Sequence, residues 1–264
     1  MLMGVKNQIK VCLLSWKYSL MREMINKISF FSQVIFMILN NASFIVQWLV
    51  LFSIKEDVGG YTFQQIFYLW EISSLLYGVS HFFFDETYSL SNTIMNGKLD
   101  SYLVQPKNVL ISVITSDVDV SALGDMTYGY ILLFVSGFTI KKFLLFTFLG
   151  IVGGLTTTAI IVIWSSLAFW IVKADSLAES INTMTIHAST YPEGIFNFAA
   201  KVILFTILPV GMTVYVPVRV LTQFTWLGFL LPIIFMIIAI ALAFLVFYKG
   251  LKVYSSSNLM ISKI

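Results

Sequence analysis

Residues 85–108 read DETYSLSNTIMNGKLDSYLVQPKN, a water-compatible stretch set between two segments that only a bilayer can hold. Within it, Glu86 to Asn96 has helical composition and Gly97 can supply the left-handed residue that ends a helix. Pro106 stops the short turn predicted over 99–104. A short helix beneath a membrane domain makes a docking element for a soluble partner. The composition also fits a plain connection between two spans, since most inter-helix loops carry no chemistry.

Composition explains why everything around this stretch reads as membrane. Of 264 residues, 58% are hydrophobic and only 11% charged, with mean hydropathy +0.89. Soluble domains carry roughly 25% charged residues. Apolar runs longer than about 18 residues recur along the chain, which predicts one all-α integral membrane domain over 1–264 with no soluble domain of useful size. The single cysteine, Cys12, excludes an internal disulfide and a cysteine metal cage.

Upstream, 1–27 reads as an interfacial helix. Lys6, Lys10 and Lys17 fall within about 40° of one another on a helical wheel, and Trp16 and Tyr18 suit a head-group boundary. Six spans follow, at about 28–54, 61–84, 123–140, 143–172, 198–216 and 227–247. Pro209 and Gly211 should kink or unwind the fifth. Gly150, Gly153 and Gly154 allow close helix contact in the fourth. Residues 173–197 read as a polar connection holding a short helix over 176–187, and Lys141-Lys142 as a minimal turn.

Six spans put both termini on one side. Twelve of the 16 Lys and Arg residues then lie on that side, against Lys55, Lys141, Lys142 and Arg219 opposite. The excess predicts a plasma-membrane protein with both termini and residues 85–108 cytoplasmic. The basic residues form no long tract, so no nucleic-acid partner is expected.

Few residues offer chemistry. Asn40, Asn41 and Glu71 are polar groups inside spans, candidates for a substrate path or a subunit interface. Tilt could instead bring Glu71 to the outer head groups. His81 and His187 read as boundary residues, and no metal site is expected. Hydrolase motifs such as GxSxG and HExxH are missing, so no catalytic residue and no enzyme activity are expected. Gly97-Lys98 is not a phosphate loop, having neither the upstream glycine nor a following Ser or Thr.

The string Ile94, Gly97, Leu99-Asp100, Tyr102-Leu103, Pro106, Asn108 and Leu110 resembles the cytoplasmic signature of the ABC-2 type permeases, in their six-span group. A second block resembles it too: Tyr191-Pro192, Ile195-Phe196, Pro209-Val210, Tyr215 and Pro217, together with Ala122-Leu123-Gly124-Asp125. The resemblance implies the membrane subunit of an ATP-binding cassette exporter. It implies a coupling helix in the first cytoplasmic loop, a second permease subunit, and separate ATPase subunits that bind the ATP and Mg. On that footing Asn96, Gly97, Leu99, Asp100 and Tyr102 would form the joint with the ATPase, and the cargo would be a hydrophobic or cationic amphiphile such as a peptide, lipid or drug. A channel or secondary transporter acting without ATP is the competing reading, disfavoured by few buried charges and no internal repeat.

Overall fold

The computed structural model describes residues 2–172 and 174–255. Among them are twelve α-helices and no strand: α1 (Leu2–Glu23), α2 (Lys27–Phe52), α3 (Phe63–Phe84), α4 (Leu90–Met95), α5 (Asp100–Leu103), α6 (Val109–Ile114), α7 (Ala122–Val135), α8 (Ile140–Ser165), α9 (Ala174–Ser189), α10 (Phe198–Thr206), α11 (Val216–Thr222) and α12 (Trp226–Leu251). Short polar residues begin many of them. Thr62, Asn108, Thr139, Asn197 and Thr225 each accept a hydrogen bond from a backbone N–H in the first turn of the following helix.

The helices pack around two apolar clusters. One, holding Trp48, Ile66, Leu76, Phe146 and Tyr215, reaches toward the turns around Val58, Tyr61 and Phe196. The other, holding Leu90, Leu99, Leu110, Phe169, Ala174 and Phe247, lies beside residues 85–121. We call these the far end and the loop end.

At the centre stands α3, buried from Leu69 through Ser80. Enclosed by α2, α7, α8 and α11, it meets protein instead of lipid. It can therefore carry Ser73, whose hydroxyl donates to the Ser189 carbonyl at 2.9 Å, and Ser80, 2.8 Å from Thr158 Oγ1. Close approach to α8 depends on small residues there: a Cβ on Gly154 would stand 2.8 Å from Val79 Cβ and 2.9 Å from the Leu76 carbonyl oxygen.

By length and apolar character, α2, α8 with its extension to Phe169, and α12 qualify as membrane spans, and the pair α10 and α11 makes a fourth if a bent pair is counted. The predicted six are not reached on that measure: α7 is a shorter apolar helix, and α3 is not among those that qualify. Two further segments differ from expectation. Residues 198–216 are not a straight span, because α10 and α11 meet at 82°. Lys201 near the start of this pair and Arg219 and Thr222 near its end line one small far-end pocket with Gly59 and Tyr61, so the chain enters and returns at the same end. The polar connection predicted over 173–197 is largely α9, which starts in the loop-end cluster at Ala174 and ends at Ala188 in the far-end cluster. Its 16 residues reach about 24 Å.

The turn between the third and fourth predicted spans also moves. α7 stops at Val135, Gly137 turns the chain at φ +106°, and Thr139 caps α8, so Lys141 and Lys142 lie inside the first turn of α8.

Candidate functional site

The loop-end excursion has a buried root and an exposed tip. α4 closes with the Gly97 N–H on the Ile94 carbonyl (3.3 Å) and the Lys98 N–H on the Thr93 carbonyl (3.1 Å), a pairing that needs the left-handed backbone Gly97 supplies at φ +71°. Asn96 and Asp100 are exposed, and Asp100 accepts a hydrogen bond from the Tyr254 hydroxyl at 3.0 Å. Leu99 corrects the expected contact set: it is 0% exposed, packed with Leu90, Leu110 and Phe247, and Tyr102 is half-buried against the same cluster. These two anchor the segment. The apolar side chains turned outward are Leu103 and Val104, 41% and 84% exposed.

α1 is fastened along this excursion by one face. Gln8 Oε1 accepts from the Asn108 N–H at 2.9 Å, the Trp16 indole donates to the Phe83 carbonyl at 2.9 Å, and the Ser19 hydroxyl donates to the Ser116 carbonyl at 3.2 Å. Arg22 closes the row on Asp117 at 2.7 Å. Burial pushes the Asp117 carboxyl up, but the Arg22 guanidinium and the Val118 N–H hold it below the usual range. Lys6, Lys10 and Lys17 stand roughly opposite this face, all exposed.

A cavity of about 490 Å³ opens between α2, α3 and α9. Asn40 and Asn41 line it, with Phe44, Trp48, Trp70 and Tyr77 as aromatic wall. Asp119 and Asp125 give it acidic groups, and no Lys or Arg lines it. Asn41 donates to Asp125 Oδ1 at 2.5 Å. Among the described residues the buried Trp70 indole N–H has no hydrogen-bond partner. On α9, Ser176, Ser180, Thr183 and His187 recur at helical spacing and stay exposed, so this helix turns a polar stripe outward.

Glu71 is absent from the cavity lining. Fully buried, it pairs with Lys142 at 3.2 Å and takes a hydrogen bond from Ser136. The substrate-contact and head-group readings of Glu71 both give way to an internal ion pair between α3 and the start of α8. Pro209 and Gly211 sit where α10 gives way to a π-helical turn, Gly211–Tyr215, and a Cβ on Gly211 would collide with the Phe205 ring.

The structure also gathers residues that the sequence reading kept apart. One ligand atom each from His81, Asp85 and Asp119 lies within 4.8 Å of the others. Burial, and the charges of Asp119, Asp117 and Glu86, push the Asp85 carboxyl up to about 6. Asp85 follows His81 by four residues, a spacing that brings side chains together at a helix end and was visible in the sequence. Asp119 arrives from across the excursion, which no local pattern announces.

Bilayer-compatible helices packed around a polar and aromatic cavity define an all-α membrane protein. A family model described as ABC-2 family transporter protein matches residues 37–258, from the first half of α2 to beyond α12. The chain belongs to the ABC-2 family of transporter proteins. Membership implies association with ABC ATPases in general. No curated protein and no solved structure matched the chain.

Proposed function

We propose that this chain is the permease subunit of an ATP-binding cassette exporter of the bacterial plasma membrane. Separate cytoplasmic ATPase subunits bind ATP and Mg and push on residues 85–108, while this chain performs no catalysis. The observation that carries the reading is the lever itself: Leu99 seated in the permease body while Leu103 and Val104 face outward. Motion applied at the tip is passed through Leu99 to α12 and the helices around Phe169.

In this reading α2, α3, α7, α8, α9 and α12 make six crossings, α1 lies in the head groups, and both termini are cytoplasmic. The polar stripe of α9 supports a second permease subunit, identical or not, since a spanning helix with exposed Ser180, Thr183 and His187 is poorly suited to lipid. The cavity supports a hydrophobic or cationic amphiphile: aromatic faces attract cations, and Asp119 and Asp125 add negative charge with no basic residue among the lining.

Co-purification is the first test. An ABC ATPase should travel with the wild-type chain and be lost with Val104→Asp, while the variant still inserts and stays monodisperse. Export that continues without ATP, or an ATPase retained by the variant, overturns the proposal.

A further inference from the structure

We propose that His81, Asp85 and Asp119 form a binding site for a divalent transition-metal ion, which clasps the two ends of the loop-end excursion together. The chain leaves α3 at Phe84 and re-enters the bundle at Ala122, so Asp85 stands at the departure and Asp119 at the return. His81, in the last turn of α3, faces both.

Four observations carry the site. First, the three ligand atoms lie within 4.8 Å of one another, a separation that small rotamer changes close around one ion with bonds of about 2.0–2.2 Å. Second, among the described residues neither the His81 ring nor the Asp85 carboxylate is taken up by a side-chain hydrogen bond, and both are only half-buried, so their ligand atoms are free to take an ion.

Third, the ligands are held. The His81 ring lies flat on Tyr88, centroids 4.0 Å apart and planes 2° from parallel, and the Tyr88 hydroxyl is 2.7 Å from Ser80 Oγ. Asp119 is oriented by the Ser121 N–H and hydroxyl, at 2.8 and 2.9 Å, and each of its oxygens keeps a free lone pair. Fourth, among the described residues no Lys or Arg forms an ion pair with Asp85 or Asp119, and Arg22 is engaged on Asp117. One imidazole and two carboxylates suit Zn²⁺ or Mn²⁺, whereas Ca²⁺ needs six to eight oxygens. His81 and Asp119 also line the cavity, which gives the ion a path in and leaves coordination positions open toward it.

An ion there would bind α3 to the 116–121 linker and stiffen the root of the lever. Occupancy would then set how much of a push at Val104 reaches the bundle.

The test uses the full chain, purified in detergent with affinity tags removed and stripped with EDTA. Equilibrium dialysis against Zn²⁺ should give one ion per chain. Asp85→Asn and Asp119→Asn should each weaken binding by about tenfold or more, since even outer-shell changes cost about 10–100-fold. Asp57→Asn, an exposed carboxylate in the far-end turn, should leave it unchanged. Co²⁺ on the wild-type chain adds a readout that needs no variant: visible d–d absorption that Zn²⁺ abolishes by displacement. Wild-type chain that binds no Zn²⁺, affinity unaltered in Asp85→Asn, or a Co²⁺ spectrum identical to the free ion overturns the site. An imidazolium shared between the carboxylates without metal would give that last outcome.

Discussion

Replacing Lys142 with methionine should destabilise the protein more than replacing both Lys142 and Glu71. At the observed 3.2 Å and an effective dielectric of about 20, the attraction between the two charges is about 5 kcal/mol. Most of it offsets desolvation, because the Lys142 and Glu71 side chains are only 11% and 0% exposed. Among the described residues, Lys142→Met leaves the buried Glu71 carboxylate with Ser136 as its sole donor, and its Oε2 already has none. The expected cost is about 3–5 kcal/mol. Glu71→Leu is milder, about 1–3 kcal/mol, because the Lys142 ammonium keeps the Tyr68 ring, 4.2 Å away, and can extend toward the far end. The double variant, an apolar pair in the same space, should recover most of the Lys142→Met loss. Unfolding in mixed micelles of rising SDS fraction, followed by tryptophan emission, reads all four corners of the cycle. Costs that add to within about 0.5 kcal/mol, or a Lys142→Met cost below about 1 kcal/mol, would refute the buried pair.

The lever makes a second pair of predictions. Leu99→Ala should cost about 2–5 kcal/mol in the same assay, whereas Val104→Ala, at an 84% exposed position, should stay within about 0.5 kcal/mol of wild type; equal costs would mean that root and tip are wrongly assigned. Gly154→Val should force α8 from α3, costing about 1–3 kcal/mol or more, and a fully stable variant would contradict the 2.8 Å approach to Val79. Gln8→Ala should leave the Asn108 N–H without its acceptor, a loss of about 0.5–1.5 kcal/mol. Hydrogen exchange should then quicken over 105–112 and not in α12, and uniform protection would show that α1 is not fastened there.

What the sequence made legible follows from what each segment touches. α2 and α12 face lipid along much of their length and announce themselves by continuous apolar character. Gly97 was readable because a left-handed helix end has few chemical solutions. Of α9 the helix was legible but not its passage between the two ends, since Asp175, Glu179 and Asn182 give it a polar composition while cavity and neighbouring helices enclose its buried side. Residues 198–216 erred the other way: apolar enough for a span, they are a hairpin, and Pro209 marked the break without revealing that the chain turns back. Lys142 looked like a turn residue because its partner stands 71 positions earlier in the chain. Asn41 was identified as a polar group in need of a partner, but Asp125, its mate, lay hidden at the head of α7.

The row of side chains joining α1 to the excursion has a mechanical corollary. If the excursion is driven by an ATPase and α1 lies among head groups, as proposed, it cannot tilt without hauling that helix and its three lysines across the leaflet surface. Anionic lipid would grip those lysines and resist the stroke, and neutral lipid would release them. On that proposal the bilayer acts as a brake on the engine, and the same protein should run at different speeds in membranes of different charge.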